Sequence, residues 1–509
     1  MSSFDMKNLT SDFKSGLVVA LVAFPLCLGI SLASGAPLIS GLIAGIIGGL
    51  IIGSLSSSHV SVSGPAAGLA VIVFGAIQDL GSFNIFLCAV VLAGFIQLLL
   101  GLFKAGVVAH FFPVAVIEGM LSSIGLLLIL KQFPIMIGME NFKGYLDLFF
   151  EGGWQRMQSA VLILGIGCFF LFLIYENTKL KNLSIFKIIP FSVFLVVLAS
   201  LAAALLPKAG FELQAVNFVN LGELGNGGAF SSIFTFPDFN QFLNPLVIKY
   251  AFILAIVASI ETLLCLEAGD KMDAKKRVSS TNVELKAQGI GNMLSGLIGG
   301  LPLTSVIVRT SVNIQSGAQS KFSAIFHGLI LFAGIALFPK LLTMIPLAVL
   351  AVILVISGFK LLKPDNFKKF FHCGPEQYVP FFVTILSVVI FDLLTGVLIG
   401  IGVASFMILK NNYLAQTYHL EHRSGKKGEK HVIHLGDYVT FLSKGTIKKQ
   451  LSLISGPGEV TIDLSKTLII DHDVKEVIDD FMISAKNKKI TVEIINPDNK
   501  GIPERLRPR

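Results

Sequence analysis

The sequence predicts an all-α polytopic membrane domain of about fourteen transmembrane segments, set as two inverted halves of seven, followed by a small α/β domain. Three observations predict it. The chain of 509 residues is 53% hydrophobic and 14% charged, with a mean hydropathy of +0.78, far from the balance of a soluble domain. Apolar runs of membrane-spanning character recur from residue 13 to residue 410. Beyond Lys410 the chain turns polar and basic, and short strand-like and helix-like patterns alternate.

On the ruler of about 20 apolar residues per span, the segments fall at 13–33, 37–55, 65–78, 84–103, 109–131, 157–176, 186–206, 246–266, 282–298, 305–316, 320–343, 346–361, 376–392 and 395–410. The first half covers about 13–206 and the second about 246–410, within a membrane domain of residues 1–412. The first apolar run begins near Gly16 without a basic stretch before it and leads straight into further apolar segments, so a first span is expected rather than a cleaved leader.

Basic residues in short loops mark the cytoplasmic side. Lys179, Lys181 and Lys187 follow segment six, Lys271, Lys275, Lys276 and Arg277 follow segment eight, and Lys360, Lys363, Lys368 and Lys369 follow segment twelve. All three loops follow even-numbered segments. The longest loop, 207–245, follows an odd one and carries Glu212, Glu223 and Asp238 against a single lysine, Lys208. Both termini are therefore expected in the cytoplasm and the chain in the inner membrane, its bilayer partner. Topology thus accounts for the net charge of +8, and no nucleic-acid partner is expected.

Cys27, Cys88, Cys168 and Cys265 lie inside apolar runs and show no disulfide or metal-ligand spacing. His59, His110 and His327 have no ligand spacing either, and satisfied histidines are expected. No cofactor is expected beyond a coupling sodium ion or proton. An enzyme is not expected, because the motifs assemble neither a nucleophile with its base nor a metal cluster.

The stretch 413–430, containing EHRSGKKGEKH, reads as a linker to a domain at 431–509. HVIHLGDYVTFL, EVTIDLS and ITVEII read as strands. DVKEVIDDFMISAKNKK reads as a helix with Val474, Val477, Ile478, Phe481 and Met482 on one face.

Segments three and ten are short, and each follows a glycine- and proline-containing stretch: SVSGPAAGLAVIVFG at 61–75 and GGLPLTSVIVRTSVN at 299–313. Each is the third segment of its half, and seven is odd, so the halves face opposite ways. Paired interruptions in inverted halves point to a transporter's midplane site. Proline stops the helical path, and the half-helix that restarts points free N–H groups and a positive dipole end into the gap. Two such ends favour an anion.

These residues resemble the SulP family of inorganic anion transporters. The resemblance rests on FPLCLGISLASGAP (24–37), SVSGPAAGLA (61–70) and the run from SIETLL (259–264) through NVELKAQGIGN (282–292) to GGLPLTSVIVRTSVNIQSGA (299–318). The tail resembles a short STAS domain. The resemblance implies a core domain of segments one to four and eight to eleven moving against a gate domain, usually in a homodimer, with the anion held between segments three and ten. STAS domains of one type carry a phosphorylatable serine after an aspartate. Here His472 follows Asp471, which leaves docking of a cytoplasmic regulator or another regulatory role.

The anion is expected on backbone amides at Ala66, Ala67 and Gly68 and at Val306, Ile307 and Val308, with Leu26 and Ile30 lining the gap by family position. Arg309 adds a charge whose insertion costs roughly 2.5–3.5 kcal/mol. Glu261 is either its ion-pair partner or the holder of a coupling ion. The resemblance implies hydroxyls near such an acid in sodium-coupled members. Here Cys265, one turn on, and Val306 and Ile307 offer poor ligands for a hard cation, leaving Ser305 as the oxygen donor, so proton coupling or exchange gains weight. Glu118 is assigned a hydrated or packing role. The function expected is secondary transport of a small inorganic oxyanion, bicarbonate or sulfate, by an elevator-like movement. A passive anion channel and a dicarboxylate symporter are the alternatives.

Overall fold

The structure is a computed structural model that describes residues 6–106, 113–139, 157–178, 190–211, 213–222, 224, 233–362, 364–391, 393–414, 418–425, 428–454, 458–467 and 469–495. Lys179, Lys181, Lys187, Glu212, Glu223, Lys363 and His110 lie outside them. The chain divides into two compact units, Met1–Ile401 and Gly402–Arg509.

Helices follow the apolar runs in order. They are α1 (Met6–Ala33), α2 (Leu38–Ile47), α3 (Ala67–Leu80), α4 (Phe83–Leu102), α5 (Val114–Met136), α6 (Ser159–Asn177) and α7 (Phe191–Leu205), then α8 (Pro245–Met272), α9 (Thr281–Ile298), α10 (Ile307–Gln315), α11 (Phe322–Leu337), α12 (Leu347–Leu362), α13 (Pro375–Ile390) and α14 (Leu393–Leu414). The α2 helix runs on through a π-helical turn at Gly48–Ile52 to Leu55. Among the described residues, eight helices are long and apolar enough to cross a bilayer, so the chain is a multi-pass membrane protein.

The α9 helix is not one of the eight, and its sequence shows why. Glu284, Gln288, Asn292 and Ser295 lie along one face and are all buried at 1% exposure or less, so α9 carries a polar spine where a membrane helix ordinarily carries aliphatic side chains. It faces protein, packing chiefly against α4. Gly289 permits the approach: a β-carbon there would stand 2.6 Å from the Leu98 nitrogen and 2.7 Å from the Gly94 carbonyl.

The helices pack in two groups. In one, α4 packs against α9 and α8, and α1 against α11 and α2; in the other, α5 packs against α12 and α13, and α6 against α12 and α7. Half-exposed apolar side chains such as Phe170, Ile174, Val197, Leu201, Leu386 and Phe406 line the outer surfaces of α6, α7, α13 and α14, as a lipid-facing surface requires.

The tail unit holds a four-stranded sheet in the order β3 (Tyr418–Gly425), β4 (Gly428–Leu435), β6 (Gly458–Asp463) and β8 (Ile490–Ile495), plus a short pair, β5 (Tyr438–Val439) with β7 (Ile469–Ile470). β3 and β4 are antiparallel, while β4, β6 and β8 run parallel. Helices α15 (Lys444–Leu453) and α16 (His472–Asn487) complete it. The α16 face buries Val474, Val477, Ile478 and Phe481 against Ile433, Val460 and Ile462, with Met482 half-buried. Within 413–430, expected as a linker, α14 ends at Leu414 and β3 pairs with β4. The polar run hid a two-stranded ladder in which His419 pairs with His434, His422 with His431 and Arg423 with Lys430, beside apolar pairs such as Leu420 with Ile433.

Candidate functional site

The two interrupted segments meet. Ser63–Pro65 (β1) and Leu303–Ser305 (β2) pair antiparallel, Ser63 opposite Ser305, Gly64 opposite Thr304 and Pro65 opposite Leu303. All six residues are buried. Extended backbone at this depth needs its polar groups satisfied inside the protein, and each interruption satisfies the other.

The polar spine of α9 holds the pair in place. Leu303 donates its N–H to Asn292 Oδ1 at 2.6 Å, and Asn292 Nδ2 donates to the Leu303 carbonyl at 3.1 Å and to Gln97 Oε1 at 2.7 Å. Gln97 Nε2 donates to Ser259 Oγ at 3.2 Å. Gln288 Nε2 reaches Ser63 Oγ at 2.7 Å and Glu284 Oε1 at 3.1 Å, and Ser56 Oγ donates to the other oxygen of Glu284.

Ala66 and Val306 leave the strands in extended conformation, and α3 and α10 begin at the next residues with no side-chain cap. First-turn N–H groups have no intrahelical acceptor, so both helices start with free donors and a positive dipole end. Antiparallel pairing sends them off in opposite directions from a common start.

The expected anion amides divide. Ala66 and Gly68 are buried and Ala67 half-buried, all at the start of α3. Val306 and Ile307 are half-buried, but the Val306 N–H donates to the Val62 carbonyl at 3.0 Å, which removes it from the donor set. Ile307 and Val308 remain, with the Val308 side chain 41% exposed. Leu26 is half-buried and Ile30 4% exposed on α1, which packs against both half-helices.

Arg309 is 0% exposed. Its Nη2 donates to Cys27 Sγ at 3.2 Å, while Nε and Nη1 have no hydrogen-bond partner. The guanidinium fills a slot over β1, where a β-carbon on Gly64 would stand 2.1 Å from Nη1. Of the two alternatives for Glu261, the ion pair with Arg309 does not form: among the described residues no carboxylate lies within ion-pair reach of Arg309. The physical reason is placement, because Glu261 lies against Gly68 on α3, with a β-carbon there only 2.9 Å from Oε1. Arginine faces the strand before the break and glutamate the helix after it.

The other coupling-ion candidates change character. Ser305 Oγ sits 2.5 Å from Ser61 Oγ, and the Ser305 N–H donates to Thr262 Oγ1 at 3.2 Å, so the hydroxyl is engaged within the strand pair. Cys265 is 9% exposed, one turn beyond Glu261. His327 was expected to be satisfied, yet it is 0% exposed with neither ring nitrogen hydrogen-bonded. His59 is exposed and Glu118 half-buried. The Asn292 clamp and the Thr262 contact are the parts sequence reasoning missed; the four-residue spacing of Glu284, Gln288 and Asn292 was their visible trace.

A multi-pass helical bundle whose two broken helices start from one buried strand pair is the architecture of a membrane transporter. The chain belongs to the Sulfate permease family, whose profile matches residues 9–384. It is thus one of a family of transporters and not an enzyme.

Among curated relatives, YvdB of Bacillus subtilis (strain 168), named as a candidate sulfate transporter, is 27% identical, with 82% of this chain and 76% of that protein covered. The bicarbonate transporter BicA of Picosynechococcus sp. (strain ATCC 27264 / PCC 7002 / PR-6) is 26% identical, with 79% and 71% covered. The solved transmembrane domain of a cyanobacterial BicA matches in fold with a TM-score of 0.65 at 23% identity, covering 79% of this chain and 98% of that one. The murine Solute Carrier 26 family member A9 anion transporter, in its inward-facing state, matches with a TM-score of 0.79 at 15% identity, covering 99% and 87%.

Proposed function

We propose that the protein is a secondary transporter of a small inorganic oxyanion, bicarbonate ahead of sulfate, bound at the common start of α3 and α10. The observation that carries this reading is a fully buried Arg309 without a carboxylate partner, beside two uncapped half-helix starts. A buried cation left unpaired is costly, and a transiting anion offsets that cost. Donors are Ala67 and Gly68 on one side and Ile307 and Val308 on the other, with Leu26 and Ile30 forming the aliphatic wall. Relatives named for sulfate and for bicarbonate support the substrate class.

Glu261 couples transport to a proton. It has no cation partner among the described residues, and the hydroxyl candidate for a coupling cation is engaged elsewhere: the Ser305 hydroxyl meets Ser61, and the Ser305 N–H donates to Thr262. A proton needs no coordination shell, whereas sodium does. The α1–α4 and α8–α11 group acts as a core that slides elevator-fashion against the other group, with fourteen spans in a 7+7 inverted repeat. Both termini are in the cytoplasm, the protein is a homodimer of the inner membrane, and the STAS-like tail docks a regulator.

The test is purified full-length protein in liposomes, assayed for labelled bicarbonate, sulfate and fumarate uptake under imposed proton or sodium gradients. Proton-driven accumulation of bicarbonate or sulfate is expected. Uptake of none of the three, or flux that no gradient drives uphill, rejects the reading.

A further inference from the structure

Lys131 is the sole charged residue in the later half of α5. It is half-buried, and its ammonium lies 3.9 Å from the centre of the Phe74 ring on α3. Among the described residues, no carboxylate pairs with it. Asp79, five residues farther along α3, receives the Tyr250 hydroxyl instead. The contact lies where the two helical groups meet, since α5, which packs chiefly on α12 and α13, also packs directly on α3, whose other main neighbours are α8, α4 and α1.

Phe74 is seven residues beyond Ala67, about 10 Å along the helix from the free N–H groups at the start of α3. The ring also rests on Gly35, where a β-carbon would stand 3.1 Å from it, in the turn between α1 and α2. On the topology proposed above, that turn is on the outer side. A cation therefore stands at the outer seam between the two groups, above the site.

We propose that Lys131 is the outer anion-receiving residue: while the seam is closed its ammonium rests on Phe74, and when the seam opens it binds the incoming small inorganic anion before the half-helix ends do. This rests on the transporter reading. An aromatic face attracts a cation through its quadrupole without neutralising it, so the ammonium keeps its charge available in a way that a carboxylate partner would not allow. Lys131 and Arg309 then act in series, a movable cation outside and a fixed one within.

The test uses full-length protein inserted in one orientation in liposomes, with KM measured separately from the outer and inner faces for a labelled anion that the wild type transports. Lys131→Gln is expected to raise the ratio of outer to inner KM about tenfold and to flatten the dependence of outer KM on ionic strength. Lys131→Arg is expected to keep both near wild type. An unchanged ratio in Lys131→Gln overturns the assignment, as does an equal loss of Vmax from both faces, which marks a role in closing the seam alone. Wild-type liposomes that take up no anion sink the transporter reading itself, and the Lys131 role with it; wild-type uptake with an unchanged ratio sinks only the latter.

Discussion

Glu261 and Gly68 are in contact across the start of α3: a β-carbon on Gly68 would stand 2.9 Å from one carboxylate oxygen and 3.0 Å from the other. The acid, for which the sequence left open a pairing with Arg309 or a coupling-ion role, thus lies beside the amides expected to hold the anion. An ionised carboxylate there opposes anion binding, and protonation removes the opposition, which is the sign proton symport needs.

Glu261→Gln keeps the shape of the side chain and removes its charge permanently. Uptake driven by an imposed proton gradient is expected to fall at least about tenfold, while exchange of internal for external anion persists. Liposome uptake with and without a trans anion separates the two. Gradient-driven uptake at wild-type rate in this variant removes Glu261 from coupling.

Arg309→Met tests the fixed charge apart from packing. A buried charge without a counter-charge is costly to keep in the fold, so an apolar side chain of similar length need not lower stability. The variant is expected to melt no lower than wild type in detergent and to lose anion uptake. Retained uptake overturns the electrostatic role. Gly64→Ala approaches the same slot from the other side: its β-carbon would meet Nη1 at 2.1 Å, so uptake is expected to fall although no charge changes.

The helix order, the two breaks and the buried arginine were legible because each leaves a strong one-dimensional mark: long apolar runs, Gly-Pro at matched positions and a lone charge in a span. The partners of Arg309 and Glu261 were not. Which residue each touches depends on the strand pairing of Ser63–Pro65 with Leu303–Ser305, a contact across some 240 positions that neither short segment encodes alone. Of the β3–β4 ladder, HVIHL of β4 was read as a strand, but β3 was not. The β3 stretch YHLEHRSG carries charge and histidine in place of the apolar alternation by which strands are recognised.

The Asn292 side chain makes three hydrogen bonds with β2 and Gln97, all in a fully buried setting. Asn292→Ala strands the Leu303 N–H and carbonyl without partners, each at ~1–3 kcal/mol. A loss of roughly 3 kcal/mol is expected, read as a lowered melting temperature together with lost uptake. Asn292→Asp, which can still accept from the Leu303 N–H, is expected to recover less than half of the stability, because it cannot donate to the carbonyl.

Asp273 gives the pH prediction. It lies in the turn after α8, where Arg277 Nε and Nη2 donate to it at 2.7 and 3.2 Å and the Lys275 and Arg277 N–H groups add two more bonds. Arg277 also donates from Nη1 to the Gln319 carbonyl, and Gln319 and Ser320 donate their N–H groups to Asp12 on α1, so this carboxylate helps to lock three connections of the membrane unit together. The hydrogen bond from Arg277 holds its pKa down to about 2, against an ordinary aspartate near 4. A depressed carboxylate stabilises the fold above its unfolded pKa and loses that contribution as pH falls through the folded one. The contribution is therefore whole at pH 7, ~3 kcal/mol at most, and fades between about pH 4 and pH 2. Asp273→Asn is expected to melt below wild type at pH 7 with the gap closing toward pH 3; a gap of constant size across that range shows that the ion pair carries none of the stability.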